Sequence, residues 1–200
     1  MFISDIKGIH LPKSQITKPT FDALVESAKN LFGKNGYMKT TIGDITKNAN
    51  VAIGTFYIYF DSKYVVYEYI LAKYKKDLKR QLALSTKDCK TREEKEKVGM
   101  RTFILEAVKD PVCYHLVWES LYINPDLFKK YYSSFAEDYA EAMQKDREEL
   151  KYDDYQTMAY IFMGISNFMG LQAIFNDMGE EEIDRIVDNA ILMLKNGLFK

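Results

Sequence analysis

The 200-residue sequence contains few of the residues that interrupt helices or form cross-links. It has only four prolines, and its long segments place apolar residues at helical spacing, with little sign of strands. Its two cysteines, Cys89 and Cys113, lie in separate segments without metal-binding or redox spacing. We therefore predict an all-α protein of one or two domains that is reduced and cytoplasmic.

Signatures of catalysis are also missing. The sequence has neither a glycine-rich phosphate loop nor an HExxH zinc motif. Its adjacent serines, Ser133 and Ser134, have no nearby histidine and no nucleophile-elbow glycines. His115 and Glu119 stand four residues apart, but without a third ligand a surface pair is the simpler interpretation. We predict a protein that is not an enzyme and that holds no metal and no cofactor.

Long runs of one charge are absent, and the net charge is only −1. Residues 1–66 hold eight lysines against five acidic residues, a mild basic excess, and the remainder is acidic. The first residues are too mixed in charge for a signal peptide. Residues 158–175 are as long as a membrane span, but Ser166, Asn167 and Gln172 interrupt them and no basic residues flank them. We expect a buried or interface helix there, and no membrane partner.

The most informative stretch is residues 37–64, which predicts two short helices separated by a tight turn. Thr41 and Asp44 form a capping-box pattern that begins the first helix. Asn50 follows this helix at a position that favours a left-handed backbone. A second short helical pattern runs over residues 51–60. Two such helices form a helix-turn-helix, whose second helix can lie in the DNA major groove.

This stretch resembles the DNA-binding domain of the TetR family of bacterial transcriptional regulators. The family pattern T-[TV]-x-x-I-[AT]-x-x-A, then V-[SA]-x-G-T-x-Y-x-[YH]-F and x-S-K, is matched by Thr40, Thr41, Ile42, Asp44, Ile45, Thr46, Ala49, Val51, Ala52, Gly54, Thr55, Tyr57, Tyr59, Phe60, Ser62 and Lys63. Upstream, the first helix and its end are matched by Ala28, Leu31, Phe32, Gly36 and Tyr37. The resemblance covers roughly 45 residues.

The resemblance implies which residues contact DNA. We expect phosphate or base contacts from Lys39, Thr40, Thr41, Lys47, Ile53, Thr55, Tyr57, Ile58, Tyr59 and Lys63. Ile53 and Ile58 depart from the family, which often has Lys, Arg or Pro at the first position and His at the second. With almost no charged or amide group on the second helix, base readout would rest on thymine methyls, tyrosine hydroxyls and DNA shape.

The remaining sequence predicts further helices. We divide the chain into an arm (1–18), the helix-turn-helix domain (19–66) and a helical ligand-binding and dimerisation domain (67–200). Pro19 suits the first turn of the opening helix. Helices are predicted at 63–87, 98–109, 111–122, 125–151, 153–175 and 180–198, with a loop at 86–97. By the resemblance, an apolar ligand pocket forms between the middle helices, and our candidates are Phe103, Tyr114, Trp118, Tyr122, Phe135, Tyr139, Met163 and Asn167.

In the family, the last two helices pair with those of a second copy. Our candidates for this interface are Phe162, Ile165, Met169, Ile183, Val187 and Ile191, and an intramolecular core remains the alternative for each. The expected function is a homodimeric transcriptional regulator, a repressor as in most of the family, released from a palindromic operator on double-stranded DNA by a small apolar effector. The alternative is a helical carrier of hydrophobic ligands that has lost specific DNA binding.

Overall fold

In a computed structural model, which describes residues 3–12, 14 and 17–196, the chain is helical. The helices of this part of the chain are α1 (Lys18–Asn35), α2 (Ile42–Asn48), α3 (Ile53–Tyr59), α4 (Lys63–Thr86), α5 (Arg92–Lys109), α6 (Pro111–Ile123), α7 (Pro125–Lys145), α8 (Tyr155–Phe175) and α9 (Glu180–Asn196). Short 3-10 turns lie at Ile3–Asp5 and Arg147–Glu149. Part of the predicted arm, at residues 1, 2, 13, 15 and 16, the end of the last predicted helix, at 197 and 198, and residues 199 and 200 lie outside the described residues. The all-α prediction is confirmed.

The ends of the short helices follow the local signals in the sequence. Thr41 and Asp44 make both hydrogen bonds of the predicted capping box at the start of α2. Asn50 has a φ of 54°, so the turn between α2 and α3 is left-handed as expected. The Ser62 hydroxyl accepts a hydrogen bond from the Val65 N–H at 3.3 Å and caps the start of α4.

The predicted loop at 86–97 is wrong over most of its length. Helix α5 begins at Arg92, because Thr91 and Glu94 form a second capping box. Helix α7 ends at Lys145, before the predicted residue 151. There the Asp146 carboxylate binds Lys95 at 2.8 Å and Arg92 at 3.3 Å, and the Arg92 N–H donates to Glu149 at 2.8 Å. These hydrogen bonds to the start of α5 stabilise the 3-10 turn that stands where the last turn of α7 was predicted.

By packing, the chain forms two compact units. The first contains residues 1–76 and 112–130, and the second contains residues 77–111 and 131–200. Helix α6 therefore packs with the helix-turn-helix, although sequence order places it in the middle of the second predicted domain. Helices α4 and α7 each contribute residues to both units.

Aromatic rings form the core of the first unit. Phe21, Phe32, Phe56 and Phe60 are almost completely buried. The rings of Phe21 and Phe60 stack with centroids 5.1 Å apart, which joins α1 to the end of α3. This core supports the seven-residue helices α2 and α3, which are too short to be stable alone.

The second unit has an apolar core and a buried group of charges. Helix α5 packs against α8 and α9 around Met100, Ile104, Ala173, Ile183 and Val187.

A buried group of charges lies at the start of α5. The Arg92 guanidinium donates to the Glu96 carboxylate, and both side chains are only 7% exposed. The Tyr139 hydroxyl donates to the same carboxylate. Because each charge has a partner, this group is tolerated in the interior.

Helix α8 is long and apolar enough to cross a membrane by length and composition. Only 22% of its most apolar window is buried within the chain. One side of α8, including Ala173, packs on α5 and α9, while Ile161, Phe168 and Phe175 are exposed. Helix α8 therefore has one packed and one exposed apolar side.

Candidate nucleic-acid interface

The start of α2 is a compact, hydrogen-bonded corner at the surface of the first unit. The Thr41 N–H donates to Asp44 Oδ2 at 2.9 Å, and the Asp44 N–H donates to Thr41 Oγ1 at 3.1 Å. The Thr41 hydroxyl also donates to Asp44 Oδ2 at 2.6 Å. These bonds from Thr41 lower the pKa of the Asp44 carboxyl. The corner therefore holds the exposed Thr41 side chain at a helix N-terminus whose partial positive charge the Asp44 carboxylate complements.

Helix α3 presents an exposed face of mixed apolar and phenolic groups. Ile53, Tyr57 and Ile58 are between 52% and 62% exposed. Phe56, on the opposite side, is completely buried and anchors the helix. Thr55 is half-buried between the two faces. The predicted base-reading residues of α3 therefore share one open surface.

Two predicted DNA contacts belong to the interior instead. Thr40 is fully buried, and its hydroxyl bonds the Gly36 and Leu31 carbonyls at 2.9 and 3.2 Å. Tyr59 is 6% exposed, and its hydroxyl donates to the Thr17 carbonyl at 3.2 Å. Both were inferred from motif positions, which do not show which way a side chain points. We remove them from the candidate interface.

Lys63 has a specific internal position at the start of α4. Its Nζ donates to the Tyr37 carbonyl at 2.7 Å and to the Thr40 carbonyl at 2.8 Å, and lies 4.2 Å from the centre of the Tyr37 ring. Partial burial lowers the pKa of Lys63, while the nearby Glu119 carboxylate acts in the opposite direction. The ammonium thus fixes the segment that precedes α2 and retains a third N–H.

The lysines expected on the DNA backbone, Lys39 and Lys47, are both exposed. Lys39 lies just before α2 and Lys47 lies in its last turn. With Thr41, they place two cations and a helix N-terminus on the surface of the same short segment.

Helix α6 is joined to this head by contacts that sequence reasoning missed. The Tyr37 N–H donates to Glu119 Oε1 at 2.9 Å, and the Tyr67 hydroxyl donates to the Leu116 carbonyl at 2.6 Å. Gly33 lies so close to Val112 that a Cβ at position 33 would come within 2.7 Å of that side chain. The spacing of Glu119 from His115 in the sequence does not indicate a contact so distant along the chain.

Comparison with known proteins identifies this head. Residues 24–70 match the model of a family described as bacterial regulatory proteins, tetR family. Over these 47 residues the chain is similar to the DNA-binding domain of that family. The matched segment contains the corner at Thr41, all of α2 and α3, and Lys63.

Relatives agree on this region and on the fold. The biofilm operon icaADBC HTH-type negative transcriptional regulator IcaR of Staphylococcus aureus (strain Newman) is 40% identical over 47 residues, 24% of this chain and 25% of that protein. The match therefore spans a quarter of the length of this curated relative. A putative TetR-family transcriptional regulator from Syntrophomonas wolfei shares the fold with a TM-score of 0.79 at 18% identity, over 92% of this chain and 98% of that one.

A third similar structure is the transcriptional regulator FadR from Bacillus subtilis, described in complex with stearoyl-CoA. It has a TM-score of 0.67 at 18% identity, over 90% of this chain and 100% of that one. At these identities the likeness establishes the fold, which extends the TetR-like architecture beyond the matched head to both units.

In the first unit, the residues predicted to bind a ligand have different surroundings. Tyr114 is buried, and burial raises the pKa of its phenol. Trp118 packs against Phe128 with ring centres 6.2 Å apart. Tyr122, in contrast, is 88% exposed, so in this structure it does not line an enclosed pocket.

In the second unit, two of the predicted ligand-binding residues have polar groups engaged by internal partners. The Tyr139 hydroxyl belongs to the buried charge group with Glu96. Asn167 accepts a hydrogen bond from the Tyr132 hydroxyl at 3.1 Å and donates to the Met163 carbonyl at 2.8 Å. Phe103, Phe135 and Met163 are half-buried. An open cleft of about 400 Å³ in this unit is lined by other residues, including Glu137, Glu141, Asp153 and Asp154.

All six residues predicted for the dimer interface have packing contacts within one chain, in the core cluster of α5, α8 and α9. Ile183, Val187 and Ile191 are buried in the core with α5, and Phe162, Ile165 and Met169 pack against them. The apolar residues that α8 and α9 expose are Tyr160, Ile161, Phe168, Phe175, Leu192, Met193 and Leu194. The alternative of an intramolecular core thus accounts for the burial of Ile183, Val187 and Ile191, while the half-buried Phe162, Ile165 and Met169 stay predicted interface residues.

Proposed function

We propose that the chain is a homodimeric transcriptional repressor that binds a palindromic operator and is released by a small, mostly apolar ligand. The observation that carries the proposal is the exposed face of α3 in a head that matches the TetR family. Ile53, Tyr57 and Ile58 are each more than half exposed, so their apolar groups are available for thymine methyls and sugar edges. The curated relative IcaR is named a negative regulator, which favours repression.

Phosphate contacts would come from the corner that precedes and begins α2. Lys39 and Lys47 offer two exposed cations, while Thr41 would have to turn its hydroxyl from Asp44 to donate to a phosphate. Lys63 would donate its third N–H to the next phosphate. Such contacts provide affinity and orientation without sequence information, and they make binding depend on salt.

A second copy is needed because one seven-residue helix reads only a few base pairs. The exposed apolar residues of α8 and α9 supply the surface for it: Phe168, Phe175, Leu192 and Met193 are each between 57% and 64% exposed. Contiguous apolar patches of this kind mark association surfaces. Two copies joined in this way would present two recognition helices to two half-sites.

Ligand response would pass through α6. Three contacts join this helix to the head, at Gly33, at Tyr67 and at the Tyr37 N–H. A ligand that displaced α6 would have to break or move them, and a coupling of about 1–3 kcal/mol changes affinity by roughly 5- to 150-fold. The FadR structure in complex with stearoyl-CoA supports a ligand with a long apolar chain.

A hydrophobic-ligand carrier is the second candidate, favoured by one observation. The exposed face of α3 has no charged or amide side chain with which to make bidentate base contacts. If the face had lost its role in DNA readout, the head would serve only as a support for the ligand-binding helices.

Selection of bound duplexes from a random pool, followed by salt titration, separates the two candidates. The repressor predicts a palindromic site with half-sites about one helical turn or more apart, and a gap of at least about 10³-fold between this site and random duplex. Recovery of no preferred sequence, with affinity vanishing at moderate salt, would favour the carrier. Repeating the titration with acyl ligands of increasing chain length then tests release.

A further inference from the structure

Residues 3–12, which we call the clasp segment, lie against the end of the recognition helix although they are outside the part that matches the family. The His10 N–H donates to the Tyr59 carbonyl at 2.8 Å, and the Asp61 N–H donates to the Gly8 carbonyl at 2.9 Å. Between these bonds, Ile9 and Phe60 form an antiparallel bridge. The clasp segment thus pairs, like a short strand, with the residues that join α3 to α4.

Side chains reinforce this pairing. Ile6 is 6% exposed, so it is buried in the first unit. Gly8 has a φ of +78°, and a Cβ there would lie 2.6 Å from Asp61 Oδ2, so only glycine fits this close approach without strain. His10 Nε2 lies 3.0 Å from Asp61 Oδ1. Backbone and side chains therefore bring the segment to one defined position.

Helix α3 needs such support. It has seven residues, and its N-cap, Ala52, provides no side-chain hydrogen bond. The carbonyls of a last helical turn have no partner within the helix, and an isolated helix of this length is unstable in water. The clasp segment supplies a donor to one of these carbonyls, that of Tyr59, and continues the chain of hydrogen bonds to Asp61.

We propose that the clasp segment is a positioning element of the DNA interface: it fixes the end of the recognition helix and so sets the angle at which Ile53, Tyr57 and Ile58 meet the bases. The proposal rests on the proposed function of the head. The segment acts through α3, and its loss weakens sequence-specific binding without removing a phosphate contact.

Two substitutions break the pairing while keeping the chain length. His10→Pro removes the N–H that donates to Tyr59. Gly8→Val adds a Cβ where Asp61 lies and strains the backbone. The matched control is His10→Ala, which loses the imidazole but keeps the backbone donor. Thermal melting of each variant verifies that the two units remain folded.

The first readout is hydrogen exchange in the free protein, which needs no DNA. In His10→Pro and Gly8→Val, the amides of residues 56–61 should exchange about tenfold faster, while the amides of α1 keep the wild-type rate. In His10→Ala, which loses only the solvent-exposed contact with Asp61, the amides of residues 56–61 should exchange within about twofold of the wild-type rate, because an exposed ion pair contributes little. Unchanged exchange at 56–61 would overturn the proposal.

The second readout is affinity for the selected operator and for random duplex over a range of salt. The two disruptive variants should lose about tenfold in operator affinity, with the same salt slope as wild type and the same affinity for random duplex. A reduced salt slope would mean that the segment contacts phosphate, which also overturns the proposal. If the wild-type chain itself has no preferred site, the proposed function fails, and exchange alone decides whether the segment holds α3.

Discussion

Glu119 in α6 accepts a hydrogen bond from the backbone N–H of Tyr37, which follows Gly36, the C-cap of α1. The bond spans 82 positions of the sequence and is 2.9 Å long. It places a carboxylate beside the segment that Lys63 also holds, so a movement of α6 acts on the residues that lead into α2.

We expect Glu119→Ala to destabilise the chain by about 1–3 kcal/mol, because the half-buried Tyr37 N–H loses its acceptor. Operator release by an effective ligand should weaken in the same variant, because a contact between α6 and the head is gone. Thermal melting and ligand titration of the operator complex measure these effects. Glu119→Gln, which keeps an acceptor oxygen, is the control, and equal release by all three proteins would argue against coupling through this bond.

Replacement of Ile53 and Ile58 by Ala should change which sequences are selected while altering stability by no more than about 0.5 kcal/mol, because both side chains are exposed. Loss of preference for thymine at one position of each half-site is the specific expectation. The measurement is repeated duplex selection with the double variant. Leu84→Ala serves for comparison, since Leu84 is 54% exposed but lies outside the head. If the double variant selects the same consensus sequence as wild type, this face of α3 does not read bases.

Phe168→Glu should produce folded monomers. The ring is 63% exposed on α8, so the change costs little within one chain but places a charge in the proposed interface. Sedimentation at several protein concentrations gives the oligomeric state, and Tyr152→Glu is the control, because Tyr152 precedes α8 and is 73% exposed. Ile183→Ala should instead lower stability by about 2–5 kcal/mol and leave the dimer intact. A dimer that survives Phe168→Glu would place the interface elsewhere.

The buried pair of Arg92 and Glu96 predicts a stability effect that depends on pH. Arg92→Met should cost about 3–5 kcal/mol at neutral pH, because it leaves the Glu96 carboxylate buried without its cation. Arg92→Met with Glu96→Leu should recover most of this loss. Denaturant unfolding of the three proteins gives the comparison.

The direction in which stability changes with pH follows from the pKa of Glu96. Burial raises the pKa of Glu96 despite the opposing effect of Arg92. The folded chain then holds the Glu96 proton more strongly than the unfolded chain, so this contribution to stability is complete below the unfolded pKa of about 4.3 and is lost as pH rises through the folded value. Arg92→Met removes the nearby cation and so raises the folded-state pKa of Glu96 further. The difference in free energy of unfolding between this variant and wild type should therefore become smaller as the pH falls. A deficit that does not vary with pH would contradict this account.

Local signals in the sequence predicted the helix-turn-helix well. The pair of Thr41 and Asp44 and the left-handed Asn50 each act within a few residues, so sequence spacing determines their geometry. The start of α5 was missed although Thr91 and Glu94 form the same capping pattern, because the surrounding charges suggested a loop.

Contacts between distant residues were harder to predict. Periodicity identified Ile183 and Val187 as a stripe on α9, but a stripe packs equally well against α5 or against a second copy, and only the tertiary packing distinguishes the two. Similarly, the motif gave Tyr59 its place without showing that its hydroxyl turns inward to Thr17. Nothing local marks Glu119 as a partner of Tyr37.

The two hydrogen bonds that hold Lys63 lower the entropic cost of binding an anion at the start of α4. Immobilising a long side chain on association costs about 0.5–1.5 kcal/mol in conformational entropy. Because the Lys63 ammonium is already anchored to the Tyr37 and Thr40 carbonyls, this cost is incurred during folding. An anion that reaches the start of α4 therefore meets a preorganised donor.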